Sequence, residues 1–284
     1  MNQSFGNIIE PDKKTLTYEK YLKTAELLDL QQMLSAPREH DELLFIVIHQ
    51  VYELWFKQII HETALAASCL EQNHLMRFLH TLKRICAIQK VLIQQIDVLE
   101  TMPPDDFHRF RNHLNPASGF QSFQFRYLEF KLGMKNVGYL RFFEHDPKLK
   151  ALLTQALSEP TLYDQFLRLM KKKGYNIPTE VINRDVNRSY ELNPQVTAVF
   201  RQIYAKPYEN SEIYLSLESM LDVDENFLLW RQRHVNMVER IIGGMIGTGG
   251  STGADYLRST LTKRCFPEIW DVRNLIGGQE QYGR

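Results

Sequence analysis

The stretch His40–Glu62, HDELLFIVIHQVYELWFKQIIHE, decides the fold. Leu43, Leu44, Ile46, Val47, Val51, Leu54, Trp55, Ile59 and Ile60 recur at steps of three and four, the spacing that lines one face of a helix. Phe45, His49, Tyr52, Glu53 and Phe56 fall on a second, mixed face, so an imidazole projects among aromatic rings and not into water. Pockets are often lined in this way. A core histidine with a satisfied hydrogen bond would look the same, and the segment alone favours that plainer reading.

Working outward, residues 1–16 are polar and lack a clear period, which marks an N-terminal arm that is ordered only where it packs against something. From Thr17, the pattern Tyr18, Tyr21, Leu22, Ala25, Leu28 and Leu30 predicts a first helix, interrupted near Pro37. A third long helix is predicted from about His74 to Glu100, on the stripe Leu75, Phe78, Leu82, Ile85, Leu92, Ile96 and Leu99. Met102-Pro103-Pro104 stops it. Phe107, Phe110 and Arg111 share a short helical segment. FQSFQFRYLEFKL, from Phe120 to Leu132, alternates like a strand, but its neighbours favour helix. Asp146-Pro147, Glu159-Pro160 and Asn193-Pro194 each read as a cap before a proline at the first helical position. Tyr175–Glu191 reads as a loop with one helical turn. Tyr208–Gly243 is one long helical pattern, with a bend expected near Asp222–Asp224, and Asp255–Cys265 is one more short helix. Residues 276–284 form a flexible tail. With no βαβ alternation and no internal repeat, the chain is expected to be all-α, a single helical domain over residues 1–284 whose long core helices enclose a pocket.

Composition narrows the class. Of 284 residues, 44% are hydrophobic, enough for a sizeable core. Lys plus Arg and Asp plus Glu stand at 34 each, so no net field favours nucleic acid or an anionic membrane. The longest strictly apolar run, Leu43–Ile48, falls far short of the roughly 20 residues that span a bilayer. Cys69, Cys86 and Cys265 form an odd set without CxxC spacing, which points to reduced thiols and a cytoplasmic protein.

Nine histidines invite a search for metal sites. His61-Glu62 would open an HExxH motif, but Leu65 occupies its second histidine position. Glu71 and His74 make a single ExxH where a di-iron bundle needs two. No CxxCH is present, so any haem would be held through an axial side chain alone. His234 is the candidate: Trp230, Met237, Val238 and Ile241 surround its helical face with apolar surface, as a porphyrin requires. The plainer reading is a half-buried histidine between Arg231 and Arg233. The loop Gly247–Gly253 lacks a GKS or GKT ending, and by composition it is a turn between helices. Arg111 shares a helical face with Phe107, which brings together a bidentate carboxylate binder and an aromatic ring.

Five separated motifs resemble the tryptophan 2,3-dioxygenases in the expected order. They are LTYEKYL, HDELLFIVIHQVYELWFKQIIHE, PPDDFHRFRNHLNPASGFQSFQFR, LLWRQRHVNMVERIIG and GTGGSTG. The resemblance implies a haem b enzyme, ferrous in its active form, that inserts both atoms of O2 across the indole C2–C3 bond of L-tryptophan. The product would be N-formylkynurenine, in the first step of tryptophan degradation by the kynurenine pathway. It further implies that His234 is the axial ligand of the haem iron and that His49 is the catalytic-side imidazole. Arg111 would clamp the substrate carboxylate, Thr248 would contact the amino-acid end, and Phe45 and Phe107 would flank the indole. Some bacterial relatives carry tyrosine at the place of Phe107, so one hydroxyl contact is absent here. Tyr18 and Tyr21 match a segment that reaches into a neighbouring subunit's site, which implies a homotetramer. Another haem oxygenase of this fold, acting on a different indole or aromatic amine, and a catalytically silent helical scaffold are the competing readings.

Overall fold

A computed structural model of the chain describes residues 16–245 and 254–276. Where one helix was predicted after Thr17 there are two short ones, α1 (Tyr18–Leu22) and α2 (Thr24–Leu28), broken at Lys23 in a left-handed conformation (φ 53°). Neither buries a residue, so tertiary packing within the chain does not hold them in line. Next, α3 (His40–Glu71) runs nine residues past the predicted end, because Thr63, Ala66, Cys69 and Leu70 continue its buried face. Its start is anchored by buried Glu42, which accepts from the Leu34 and Ser35 amides at 2.7 and 2.9 Å and from the Ser35 hydroxyl.

The chain reverses at Asn73 (φ 57°), a residue type that tolerates the left-handed region, and enters α4 (Leu75–Leu99). Leu75, Phe78, Leu82, Ile85, Gln89, Leu92, Ile96 and Leu99 are all buried, an alternation of three and four that forms a coiled-coil-like seam. Pro103-Pro104 ends the connection and starts α5 (Pro104–Arg111). The ambiguous stretch then divides. Gly119–Gln121 is a 3-10 turn, and the helix α6 (Phe123–Leu132) begins only where Ser122 caps it. Asp146 caps α7 (Pro147–Ser158) as predicted. For α8 (Leu162–Lys172), the cap is Thr161 and not Glu159: Thr161 and Asp164 exchange hydrogen bonds in a capping box, which leaves Pro160 outside the helix.

One helical turn, α9 (Thr179–Ile182), interrupts the loop 175–191. Arg184 pairs with Asp164 through two bonds of 2.7 and 2.8 Å, and the Lys135 ammonium donates to the carbonyls of Leu157, Glu159 and Val186, so the second half of this loop is tied to the body of the protein. After α10 (Pro194–Ala205), the 32-residue α11 (Ser211–Ile242) runs without a break. No break falls at Asp222–Asp224, where a bend was expected. Asp224, 1% exposed, instead accepts from the Cys265 and Phe266 amides and the Trp270 indole N–H at 2.9–3.1 Å, pinning the C-terminal segment with α12 (Ala254–Ser259) and α13 (Pro267–Asp271) onto the bundle.

The bundle's axis is α3, α4 and α11 packed lengthwise. Polar side chains bridge the helices inside this core: Tyr52 donates to Leu92 O (2.8 Å) and Gln89 to Val223 O (3.0 Å). By length and composition α3 is the one described helix able to cross a bilayer. Three of its carboxylates nevertheless bond protein partners, Glu42 with Ser35, Glu53 with Ser122 and Glu62 with Arg84. Among the described residues there is no strand, and the all-α expectation holds.

Candidate active site

Between α3, α5, α6, α11 and α12 lies a cavity of about 300 Å³. Phe56, Phe125, Trp230, Val235, Met237, Val238, Ile242 and Leu257 supply apolar walls, and two imidazoles, His49 and His234, open onto it from α3 and α11. Each ring keeps accessible surface toward the cavity while protein encloses it otherwise.

His49 has a defined tautomer. Its Nδ1 stands 2.7 Å from the carbonyl oxygen of Phe45, one helical turn back. A carbonyl only accepts, so Nδ1 carries the proton and Nε2 of the neutral ring is left as an acceptor. Burial holds the His49 pKa below its ordinary value of 6.5, against the opposing pull of the Phe45 carbonyl and the Glu53 carboxylate. Burial, and then the positive charge of His49 and of Arg126, pushes His234 down to about 4. Both rings are therefore neutral at neutral pH. His234 stacks on Trp230 (centroids 5.4 Å apart, planes 17° apart), one turn earlier on the same helix. A neutral imidazole on the wall of an apolar slot has the protonation state that a metal ligand needs.

A charged cluster closes one side. Glu129 accepts from Arg126 at 2.6 Å and from Arg231 at 2.8 Å, and all three side chains are buried. Arg231 also donates to Thr260 O at 3.2 Å. Arg126 lies over the rings of Tyr139 and Phe125, at 4.3 and 4.6 Å from their centroids. Its Nε remains buried without a hydrogen-bond partner. So does the Trp230 indole N–H, which lies near the Tyr52 hydroxyl without reaching bonding geometry. An apolar slot with a neutral imidazole on its wall suits a flat apolar group held through a side chain, and the cavity lining therefore fits haem.

The predicted site residues fall as follows. His49, Phe107, Arg111 and His234 line this one cavity. Phe45 stands behind the wall, packed on His49 at 4.1 Å and on Phe107 at 5.8 Å, so it backs the imidazole and is not itself a lining side chain. Tyr18 and Tyr21 are 78% and 71% exposed on α1 and touch no part of the cavity. Thr248 lies outside the described residues. Sequence reading missed Ser118, Gly119, Ser122, Arg126, Glu129 and Tyr256, all of which line the cavity. The i, i+3 pair of Arg126 and Glu129 inside an aromatic-rich helix was the one signal that could have exposed the buried cluster. A second recess of about 550 Å³, lined by Glu71, Arg168 and Lys172 among others, holds neither imidazole.

Fold and site together define a class: all-helical proteins in which histidines from two long helices open onto one largely apolar cavity. Comparison with known proteins gives the particular family. The family model described as Tryptophan 2,3-dioxygenase matches residues 7–162 and 193–276. A tryptophan 2,3-dioxygenase of Herpetosiphon aurantiacus is 47% identical over 92% of this chain and 98% of its own length. Those of Caulobacter vibrioides (43% identical; 92% of this chain, 98% of that protein) and Serratia proteamaculans (42%; 95% and 96%) are similar in extent. The chain belongs to the tryptophan 2,3-dioxygenase family.

Proposed function

We propose that this chain cleaves the indole C2–C3 bond of L-tryptophan with O2, giving N-formylkynurenine, with His234 as the axial ligand of a non-covalently bound haem b. The observation that carries the reading is the pair of neutral imidazoles from α3 and α11 opening on one apolar cavity. When bound, ferrous haem supplies the redox chemistry with dioxygen.

The chain's own residues do the rest. The free Nε2 of His49 accepts the indole N–H and so fixes the ring's orientation. Arg111 receives the substrate carboxylate through its planar fork, and Thr248 contacts the amino-acid end. Phe107 packs on the indole while Phe45 holds the His49 ring from behind. Holding the indole in one pose beside the cofactor turns an encounter of separate reactants into a step within one complex. The apolar walls exclude water.

We further propose a homotetramer in which Tyr18 and Tyr21 complete a neighbouring subunit's pocket. Their exposure on α1, with Leu28, Leu30 and Leu34 also uncovered, supports this, because contiguous apolar surface of that kind marks an interaction face. The free thiols Cys69, Cys86 and Cys265 suit a cytoplasmic enzyme.

The test is an anaerobic ferrous spectrum with and without L-tryptophan, followed by O2 and detection of N-formylkynurenine absorbance. A Soret band that shifts with tryptophan, then product, supports the reading. Protein purified from haem-replete cells without a Soret band refutes it, and a His234→Ala variant with undiminished haem content removes the ligand assignment.

A further inference from the structure

Glycine at position 119 has no backbone reason to be there. Its φ lies outside the left-handed region that favours glycine, and among the described residues a Cβ built on it meets nothing within 4 Å. Yet Gly119, itself exposed, borders the cavity beside Ser118, Phe120 and Ser122, in a lining that also holds the rings of Phe107 and Phe125.

The wall cannot simply recede. Ser118 and Gln121 close a capping box around the turn, with the Ser118 hydroxyl accepting from the Phe120 amide at 3.2 Å and the Gln121 side chain accepting from the Ser118 amide at 3.1 Å. Phe120 is held between Phe142 (5.2 Å) and Tyr256 (4.9 Å). The next residue but one, Ser122, donates to Glu53, and Gln124 donates to the Glu53 carbonyl and carboxylate at 2.7 and 2.9 Å. Glu53 lies one turn beyond His49 on α3, so the turn bearing Gly119 is tied to the helix that presents the imidazole.

We propose that Gly119 is a specificity-determining position: the space its missing side chain leaves sets how large an indole the cavity accepts. This rests on the function proposed above. With the indole N–H taken by His49 and the carboxylate by Arg111, a ring substituent has only the wall to displace, and a pinned wall does not yield.

The experiment compares Gly119→Ala and Gly119→Val with wild type for haem-to-protein ratio, thermal midpoint, and kcat/KM toward L-tryptophan and a ring-methylated tryptophan. One methylene in a hydrophobic pocket discriminates roughly 10- to 200-fold. Haem content and midpoint should stay at wild-type values, since the added Cβ meets no atom of the described residues within 4 Å. Methylated-to-parent selectivity should fall about 10-fold or more in Gly119→Ala and further in Gly119→Val. Selectivity within about two-fold of wild type in both variants would overturn the proposal, as would loss of haem without a change in selectivity, which would turn Gly119 toward the cofactor. Wild-type protein that makes no N-formylkynurenine would instead remove the underlying function, and this inference with it.

Discussion

Truncating Glu129 to alanine should be among the most damaging single substitutions away from the histidines. The carboxylate is shared by two buried guanidiniums, at 2.6 Å to Arg126 and 2.8 Å to Arg231. Removing one member of a buried pair leaves its partner charged and uncompensated, at a cost of about 3–5 kcal/mol. The two losses do not add in full, because Arg231 keeps Thr260 O at 3.2 Å and Arg126 keeps the faces of Tyr139 and Phe125. An expected loss of about 3–4 kcal/mol is a large part of a typical native stability of about 5–15 kcal/mol. At roughly 2–4 °C per kcal/mol, the thermal midpoint falls by about 6–15 °C. Urea unfolding with fitted m-values, on protein of fixed cofactor content, measures it. The decisive comparison is Glu129→Ala with and without Arg231→Met. If the damage is an orphaned cation, removing that cation makes the double variant more stable than Glu129→Ala alone. A loss under about 1 kcal/mol in the single variant, or a double variant that falls below it, would refute the reasoning.

Arg111→Lys keeps the charge but loses the planar fork. KM for L-tryptophan should rise about 10- to 100-fold with a smaller change in kcat, read from steady-state kinetics. Because burial lowers the His49 pKa, the ring stays an acceptor below pH 6.5. The acid limb of kcat/KM should therefore lie under 6.5, and Glu53→Gln, which removes an anion that favours the protonated ring, should move it lower still. Glu268, 0% exposed, receives the Tyr163 and Tyr190 hydroxyls and the Asn193 amide, and burial raises its pKa above 4.5. The native state then binds more protons than the unfolded chain above pH 4.5, so this group's contribution falls as pH rises through that window. Glu268→Gln should flatten that slope in pH-dependent unfolding, whereas Glu268→Ala strands three donors and should cost about 1–3 kcal/mol or more at every pH. Deleting residues 1–22 should lower tryptophan turnover more than haem content, and equal turnover would remove the role proposed for Tyr18 and Tyr21.

Local chemistry was readable in the sequence wherever one segment contained its own cause. The apolar period of α3 and α4, the Asp146 and Asn193 caps before proline, and the stop at Pro103-Pro104 all depend on residues within a few positions of one another. Period and proline therefore sufficed for an all-α chain, and motif order sufficed for the family. The failures have the opposite character. Nothing near Asp224 reveals that its carboxylate serves amides 41 and 42 residues away. Thr161 displaced Glu159 as a cap because a reciprocal bond with Asp164 outweighs the proline signal. The neutral state of His234, the tautomer of His49 and the shared Glu129 arise only when α3, α6 and α11 meet, because burial and charge pairing belong to the space between helices and not to any one of them. Sequence by itself determined which residues could do the chemistry, and the tertiary structure decided which of them share a cavity, and in what protonation state, because desolvation exists only once the helices have packed.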